Sequence, residues 1–219
     1  MSLNVEQARY NMVEQQVRPW DVLDARVLDV LASVRREDFV PAAHRNLAFA
    51  DLSLPLGHGE VMMKPVVEGR VLQALALEPD ERVLEIGTGS GFLTACLARL
   101  AGEVVSIDRH ADFVEAARRK LQAAGIGNVR ADVADAMRGF KPGQEFDAVV
   151  VTGAVYTLPE RFRDWVKIGG RLFVIEGESP AMQARLLTRR STDAFESQSL
   201  FETDLPYLSD CAPPKRFTF

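Results

Sequence analysis

A glycine-rich turn is the segment of this chain whose residue types best suit ligand chemistry. A run of β-type residues ends at Ile86, and Gly87-Thr88-Gly89-Ser90-Gly91 follows it. Glycines let the backbone turn sharply and approach a ligand closely, and N–H groups at the start of the next helix favour a negative group such as a carboxylate. Asp108 ends the next β-type run, where it can accept hydrogen bonds from ribose hydroxyls. The turn therefore predicts a ligand that carries a ribose and an anionic group.

Strands alternating with helices must position that turn. Short β-type runs occupy residues 82–86, 103–108, 128–133, 146–151 and 171–176, and helical stretches include residues 92–100 and 111–125. This alternation predicts right-handed crossovers and a mainly parallel, doubly wound α/β sheet. Two further runs, 185–191 and 195–205, have no helix between them. They predict a late antiparallel hairpin at the edge of the sheet.

The first part of the chain has a different pattern. Apolar residues recur at helical spacing over 5–17 and 24–34, with Asp24 as the N-cap of the second run, and a further helix is predicted over 66–77. Between them, LSLPLGHGEVMMKP predicts a loop with a constrained backbone, and such loops often carry function. We therefore divide the chain into a helical cover with a substrate loop (1–78) and a ligand-binding core (79–219), together forming one compact unit.

Composition limits the class of protein. The 219 residues are 47% hydrophobic and 26% charged, with a net charge of −5, which suits one domain or one domain with a small appendage. The acidic balance disfavours a large phosphate-backbone footprint, so no nucleic-acid partner is expected. Two cysteines are too few for a disulfide scaffold, and no apolar run approaches membrane-spanning length. We expect a soluble cytoplasmic protein without a membrane partner.

Several other chemistries fit the residues poorly. The dinucleotide fingerprint G-x-G-x-x-G requires glycine where Phe92 stands. Ser90 is not in a G-x-S-x-G nucleophile elbow, because Thr88 and Phe92 occupy the glycine positions of that motif. His44, His58 and His110 show no metal-ligand spacing with each other or with a cysteine. The sequence therefore predicts no metal site.

The glycines fall instead as G-x-G-x-G after Glu85, which resembles motif I of class I S-adenosylmethionine-dependent methyltransferases. That resemblance implies a Rossmann-like fold with S-adenosyl-L-methionine as the cofactor. Asp135 follows the third strand, where such enzymes place an acid near the adenine, and Thr152 lies at the mouth of the fourth. The residues implied in cofactor binding are Glu85, Gly87, Thr88, Gly89, Ser90, Asp108, Arg109, Asp135 and Ala136.

A longer resemblance narrows the family. MVEQQV, DARVLDVLASVRREDFVP, LAFADLSLPLGHG and VLEIGTGSGF stand in the order and spacing seen in protein-L-isoaspartate (D-aspartate) O-methyltransferases, over about residues 12–177. The resemblance implies methyl transfer to the α-carboxyl of isoaspartyl residues in proteins or peptides, with N-terminal helices covering the substrate. A carboxylate is already ionised at neutral pH and needs no general base. The implied pocket residues are His58 and Met63 at the reacting group and Gly59, Val61, Met62, Lys64 and Thr152 for the substrate.

One departure from the family concerns that pocket. Members usually continue GHG with Gln-Thr-Ile-Ser-Gln-Pro, whereas this chain reads GHGEVMMKP, with Met63 at the serine position and Lys64 after it. A methionine cannot donate a hydrogen bond to a carboxylate. Two alternatives therefore stay open at this point. The acceptor is a different carboxylate or a small molecule, or the chain binds S-adenosylmethionine without catalysis. The oligomeric state is not predicted.

Overall fold

The computed structural model describes residues 4–214, in which seven α-helices and nine β-strands occur. The helices are α1 (Val5–Asn11), α2 (Ala25–Ser33), α3 (Arg36–Phe39), α4 (Pro65–Leu75), α5 (Phe92–Leu100), α6 (Ala111–Ala123) and α7 (Glu160–Asp164). The strands are β1 (Leu54–Gly57), β2 (Glu60–Met62), β3 (Arg82–Ile86), β4 (Glu103–Asp108), β5 (Val129–Val133), β6 (Phe146–Val155), β7 (Val166–Glu176), β8 (Met182–Arg189) and β9 (Phe195–Thr203).

Seven strands form one sheet in the order β5-β4-β3-β6-β7-β8-β9. The pairs from β5 through β7 are parallel, while β7–β8 and β8–β9 are antiparallel. This confirms the predicted parallel sheet with a late antiparallel hairpin. The chain enters the sheet at β3 and winds outward to β5 before crossing back to β6, which places the carboxyl ends of β3 and β6 side by side. In open α/β sheets, ligands bind at such a reversal of strand order.

Strands β6 and β7 are longer than the predicted runs 146–151 and 171–176. Their register shifts between Val150 and Ala154, after which Ala154 pairs with Ile175. The segments TGAV and VKIGG lack the continuous β-branched residues that identify a strand in sequence. Tertiary pairing therefore extends both strands beyond what local pattern shows.

The N-terminal periodic run is divided rather than continuous. Helix α1 ends at Asn11, a π-helical segment covers Met12–Val17, and a 3-10 turn covers Arg18–Trp20. Met12, Val13 and Val17 of the π-helical segment are buried. The run predicted as helical over 5–17 is helical, with an α-helical first half and a π-helical second half. Helix α2 does begin after Asp24, whose carboxylate accepts a hydrogen bond from Arg26 N at 2.8 Å.

The segment predicted as an irregular loop contains a two-stranded antiparallel hairpin, β1–β2. At its tip Gly57, His58 and Gly59 all have positive φ, at 111°, 53° and 82°. Left-handed backbone is easily adopted by glycine and is tolerated by histidine better than by most residues. Three consecutive residues of this kind reverse the chain tightly, so the expectation of a constrained backbone is confirmed and that of irregular structure is wrong.

The N-terminal helices and the sheet share one hydrophobic core. Fully buried Met12, Leu31 and Leu72 belong to the same cluster as Val104 and Phe173 of the sheet. Helices α2 and α4 pack on α5, the helix that follows the glycine turn, and α4 also packs on β7, while the division at residue 78 stays a prediction. Within residues 4–214, no helix is long and apolar enough to cross a lipid bilayer.

Candidate active site

A cleft opens at the carboxyl ends of β3, β4, β5 and β6. It is lined from the strand exits by Ile86, Gly87, Gly89, Ile107, Asp108, Arg109, Ala134, Asp135, Ala136, Thr152 and Gly153. The hairpin, the start of α6, the segment after β5 and the C-terminal segment complete it with Leu56, Glu60, Val61, His110, Phe113, Met137, Leu208 and Ser209. Six of the nine predicted cofactor residues thus surround one cavity: Gly87, Gly89, Asp108, Arg109, Asp135 and Ala136.

The glycine turn is shaped by positive φ angles and by close packing. Gly87 has φ +100°, and a Cβ added there would lie 2.2 Å from Thr152 Oγ1. A Cβ on Gly91, at φ +83°, would lie 2.9 Å from the Ala117 Cβ. Thr152 Oγ1 donates toward the carbonyls of Ile86, at 2.9 Å, and Gly87, at 2.7 Å. Strand β6 therefore holds the turn in place through one hydroxyl.

Asp108 links the turn to the exit of β4. Its two carboxylate oxygens accept hydrogen bonds from Gly89 N and from His110 N, each at 2.9 Å. A carboxylate has about four acceptor positions, so two remain for ribose hydroxyls. The residue is therefore a support of the turn as well as a candidate cofactor ligand.

Glu85 is fully buried beneath the turn. Its Oε2 accepts hydrogen bonds from the hydroxyls of Thr94 and Ser106, while Oε1 has no hydrogen-bond partner within residues 4–214. Burial raises the pKa of Glu85 to about 8, against the opposing effect of the two hydroxyls. A buried acceptor without a partner is costly, and it suits a site that receives a cationic or N–H donor.

A pH-dependent stability follows from this burial. The folded-state pKa of Glu85, about 8, exceeds that of an exposed glutamate. The contribution of the protonated Glu85 carboxyl group to the free energy of unfolding is therefore complete at low pH and is lost as pH rises through the folded-state pKa. We expect the free energy of unfolding of wild type to fall relative to Glu85→Gln between about pH 5 and about pH 9. Urea unfolding of both proteins across this range measures it. Parallel curves for the two proteins would show that Glu85 does not titrate there.

A second, smaller cavity joins the cleft beneath the hairpin. It is lined by Val61, Met62, Met63, Glu68, Glu85, Gly87, Thr88, Gly89, Ser90, Leu93 and Thr152. Four residues (Val61, Gly87, Gly89 and Thr152) line both spaces. The structure therefore brings most of the predicted substrate segment against the predicted cofactor turn. Gly59 and His58 lie at the exposed hairpin tip, and Lys64 is exposed before α4, so these three line neither cavity.

The small cavity is anchored from below by Arg36. This side chain is fully buried, and it donates to Met63 O at 2.7 Å and to Ala48 O at 2.8 Å. Its third contact is an ion pair with buried Glu68. The Arg36 Cζ atom also lies over the Phe92 ring, 4.8 Å from the ring centroid. Burial raises the pKa of Glu68 to about 7, and the guanidinium opposes that shift. Arg36 thereby holds the backbone at Met63 in a fixed place.

Sequence reasoning missed several lining residues. Burial raises the pKa of Glu60, and the neighbouring Asp108 carboxylate raises it further. Leu208 and Ser209 reach the cleft because β6 extends: Leu208 N donates to Ala154 O at 2.8 Å, and Arg109 contacts Ser209 Oγ. Glu60 directly follows the GHG motif, so the sequence could have indicated it as a lining residue. Leu208 and Ser209 belong to no sequence motif that points to the site.

The fold and the site together define a class of protein. A glycine turn between β3 and α5, acidic residues at successive strand ends and one cleft over a reversed strand order are the features of a Rossmann-like, S-adenosylmethionine-dependent methyltransferase. The sequence profile of one family, protein-L-isoaspartate(D-aspartate) O-methyltransferase (PCMT), matches residues 7–205. The chain belongs to this family, which confirms the predicted fold class, enzyme class and cofactor.

Individual relatives agree with this assignment. The chain is 39% identical to protein-L-isoaspartate O-methyltransferase 1 of Rhodopseudomonas palustris (strain HaA2) over 204 residues, which cover 92% of this chain and 83% of the relative. It is 40% identical to the protein-L-isoaspartate O-methyltransferase of Methylorubrum extorquens (strain PA1) over 192 residues, covering 88% and 84% of the two chains. A Plasmodium falciparum structure described as a protein-L-isoaspartate O-methyltransferase in complex with S-adenosyl-L-homocysteine has a TM-score of 0.80 at 19% identity. It covers 92% of this chain and 98% of its own, and supports the fold.

Proposed function

We propose that this chain methylates the α-carboxylate of isoaspartyl residues in proteins and peptides. The acceptor would bind in the small cavity beneath the β1–β2 hairpin, next to the cleft that takes the cofactor. The observation that carries the proposal is that Val61, Met62 and Met63 line the same small cavity as Gly87, Thr88 and Glu85. Family membership supports this acceptor over a different carboxylate or a small molecule, and over binding without turnover. The proposed compartment is the cytoplasm, which the two unpaired, buried cysteines suit.

The residues at the cleft fit S-adenosylmethionine. The free acceptor positions of Asp108 suit ribose hydroxyls, and Asp135 with Ala136 lines the end of the cleft expected to take the adenine. The unpartnered Oε1 of Glu85 suits an ammonium group, whose charge would favour the ionised carboxylate. When bound, the cofactor supplies an electrophilic methyl group on a sulfonium centre.

The protein's own residues act mainly by aligning the acceptor and excluding water, and less by acid–base catalysis. The acceptor is a carboxylate that is ionised at neutral pH, so no residue needs to remove a proton from it. Val61, Met62 and Met63 form an apolar wall beside the turn, and Arg36 fixes the carbonyl at Met63. Alignment of this kind supplies up to about 7–11 kcal/mol of barrier reduction. Because Met63 replaces the usual serine hydroxyl, it donates no hydrogen bond to the carboxylate, and the contribution of this segment is alignment.

The experiment is a product analysis with matched acceptors. Purified full chain is incubated with labelled S-adenosylmethionine and an isoaspartyl peptide, beside the same peptide with a normal aspartyl linkage. We expect base-labile methyl ester and an equal amount of S-adenosylhomocysteine only with the first peptide. Absence of ester above background, next to an active family member as control, would refute the proposed acceptor. S-adenosylhomocysteine formed only with small carboxylates would establish the alternative acceptor.

A further inference from the structure

The hairpin tip and the start of α6 bring together three metal-ligating side chains, which we call the histidine cluster: His58, His110 and Asp112. One ligand atom from each lies within 4.8 Å of the other two. His58 comes from the positive-φ turn between β1 and β2, and the other two follow the exit of β4. The sequence predicted no metal site because His58 lies about fifty positions before His110 and Asp112, which shows no metal-ligand spacing. In the folded chain the β1–β2 hairpin places His58 next to the other two side chains.

Contacts within the histidine cluster hold it in one arrangement. His58 Nε2 lies 3.1 and 3.2 Å from the two Asp112 carboxylate oxygens. The imidazole of His58 stacks on that of His110, with ring centroids 4.1 Å apart and planes at 11°. The Phe113 ring meets both imidazoles edge-on, at 5.3 and 5.2 Å between centroids. An aromatic floor thus supports two imidazoles beside one carboxylate.

We propose that the histidine cluster binds a divalent transition metal ion of the zinc class, through one nitrogen of each imidazole and one Asp112 oxygen. Two imidazoles and a carboxylate are a donor set that Zn²⁺ takes readily, with the remaining position filled by water. Ring nitrogens coordinate along directions in the ring plane, so the stacked imidazoles must turn to converge on one ion. The χ2 angle of histidine is soft, and the side chains of His58 and Asp112 are 46% and 64% exposed, which leaves room for that turn.

Asp112 suits this role electrostatically. Its carboxylate supplies a negatively charged oxygen ligand beside the two imidazoles, which suits a divalent cation. The position of the cluster gives metal binding a consequence, since His110 also lines the cofactor cleft. An ion held by His58 and His110 would tie the hairpin to α6 across the rim of that cleft. The site itself does not depend on the proposed methyl transfer.

The test is calorimetric titration of the untagged full chain with Zn²⁺. We expect one saturable site in wild type and at least tenfold weaker binding in His58→Asn and His110→Ala. Asparagine preserves the positive φ at position 58, and the His110 side chain makes no cap hydrogen bond to α6. His44→Ala removes the third histidine of the chain, which lies outside the cluster, and should bind like wild type.

A spectroscopic measurement separates this site from unspecific binding. With Cu²⁺ as the probe, electron paramagnetic resonance of wild type should show coupling to two imidazole nitrogens, with one lost in each cluster variant. Circular dichroism confirms that each variant is folded. Wild type without saturable Zn²⁺ binding would overturn the proposal. So would equal affinity in His58→Asn, His110→Ala and His44→Ala, because the ion would then sit elsewhere on the surface.

Discussion

Gly87→Ala is expected to weaken S-adenosylmethionine binding at least about a hundredfold, which corresponds to about 3 kcal/mol. The added Cβ would lie 2.2 Å from Thr152 Oγ1, and alanine is strained at a φ of +100°. The clash also displaces the hydroxyl that donates to the carbonyls of Ile86 and Gly87. The turn and the end of β6 therefore move together. Calorimetry with the cofactor measures the loss.

Gly127→Ala is the matched control for this substitution. An added Cβ at Gly127 meets no atom within 4 Å, and the residue is outside the positive-φ range. It should bind the cofactor as wild type does, with thermal unfolding changed little. If Gly87→Ala and Gly127→Ala bound S-adenosylmethionine equally well, the glycine turn would not be the cofactor site.

Arg36→Met is expected to destabilise the folded protein by about 3–5 kcal/mol, because it leaves Glu68 buried without its partner. The substitution also removes the hydrogen bonds that Arg36 donates to Met63 O and Ala48 O. Burial already raises the pKa of Glu68 to about 7, and losing the guanidinium raises it further. The penalty should therefore be larger above pH 7 than below it. Urea unfolding at two pH values measures both effects.

Arg35→Met provides the comparison, since the neighbouring side chain is 65% exposed. It pairs with exposed Asp38 and with buried Glu37, and Glu37 keeps its second partner Arg9 in the variant, so only solvent-screened pairs of an exposed cation are lost. Such pairs contribute about 0–1 kcal/mol. The double variant Arg36→Met with Glu68→Leu should recover part of the lost stability, because no buried charge is then left unpaired. Equal losses in Arg35→Met and Arg36→Met would contradict the anchoring role of Arg36.

Much of the sheet could be predicted because its signals are local. Strands β3 and β4 are short β-branched runs next to glycine turns or helices, so their alternation defines the parallel sheet. The hairpin β1–β2 could not be predicted in this way. Its strands have only four and three residues and include Pro55, so no alternation develops. The π-helical segment at 12–17 likewise depends on which face meets the core.

The candidate site shows the same difference between residues that the local sequence predicts and residues that only tertiary packing brings together. Gly87 and Asp108 were predicted because a strand, a turn and a helix stand together in the sequence, and Glu85 was implied by the resemblance to motif I of the methyltransferases. Residues brought in by tertiary pairing carried no such signal, and these are Leu208, Ser209 and the Arg36–Glu68 pair. The histidine cluster is the clearest case, since His58 and His110 become neighbours only when the hairpin folds over the start of α6.

The most direct test of the account is the initial rate of methyl transfer to an isoaspartyl peptide, compared with its aspartyl isomer at the same concentration. The cleft beneath the hairpin, with its fixed backbone at Met63, predicts a rate on the isoaspartyl peptide at least about a hundredfold above the aspartyl control, a discrimination of about 3 kcal/mol. It also predicts loss of that rate in Gly87→Ala and its retention in Gly127→Ala. Equal rates on the two isomers, or no transfer to either while S-adenosylmethionine binds, would contradict the account.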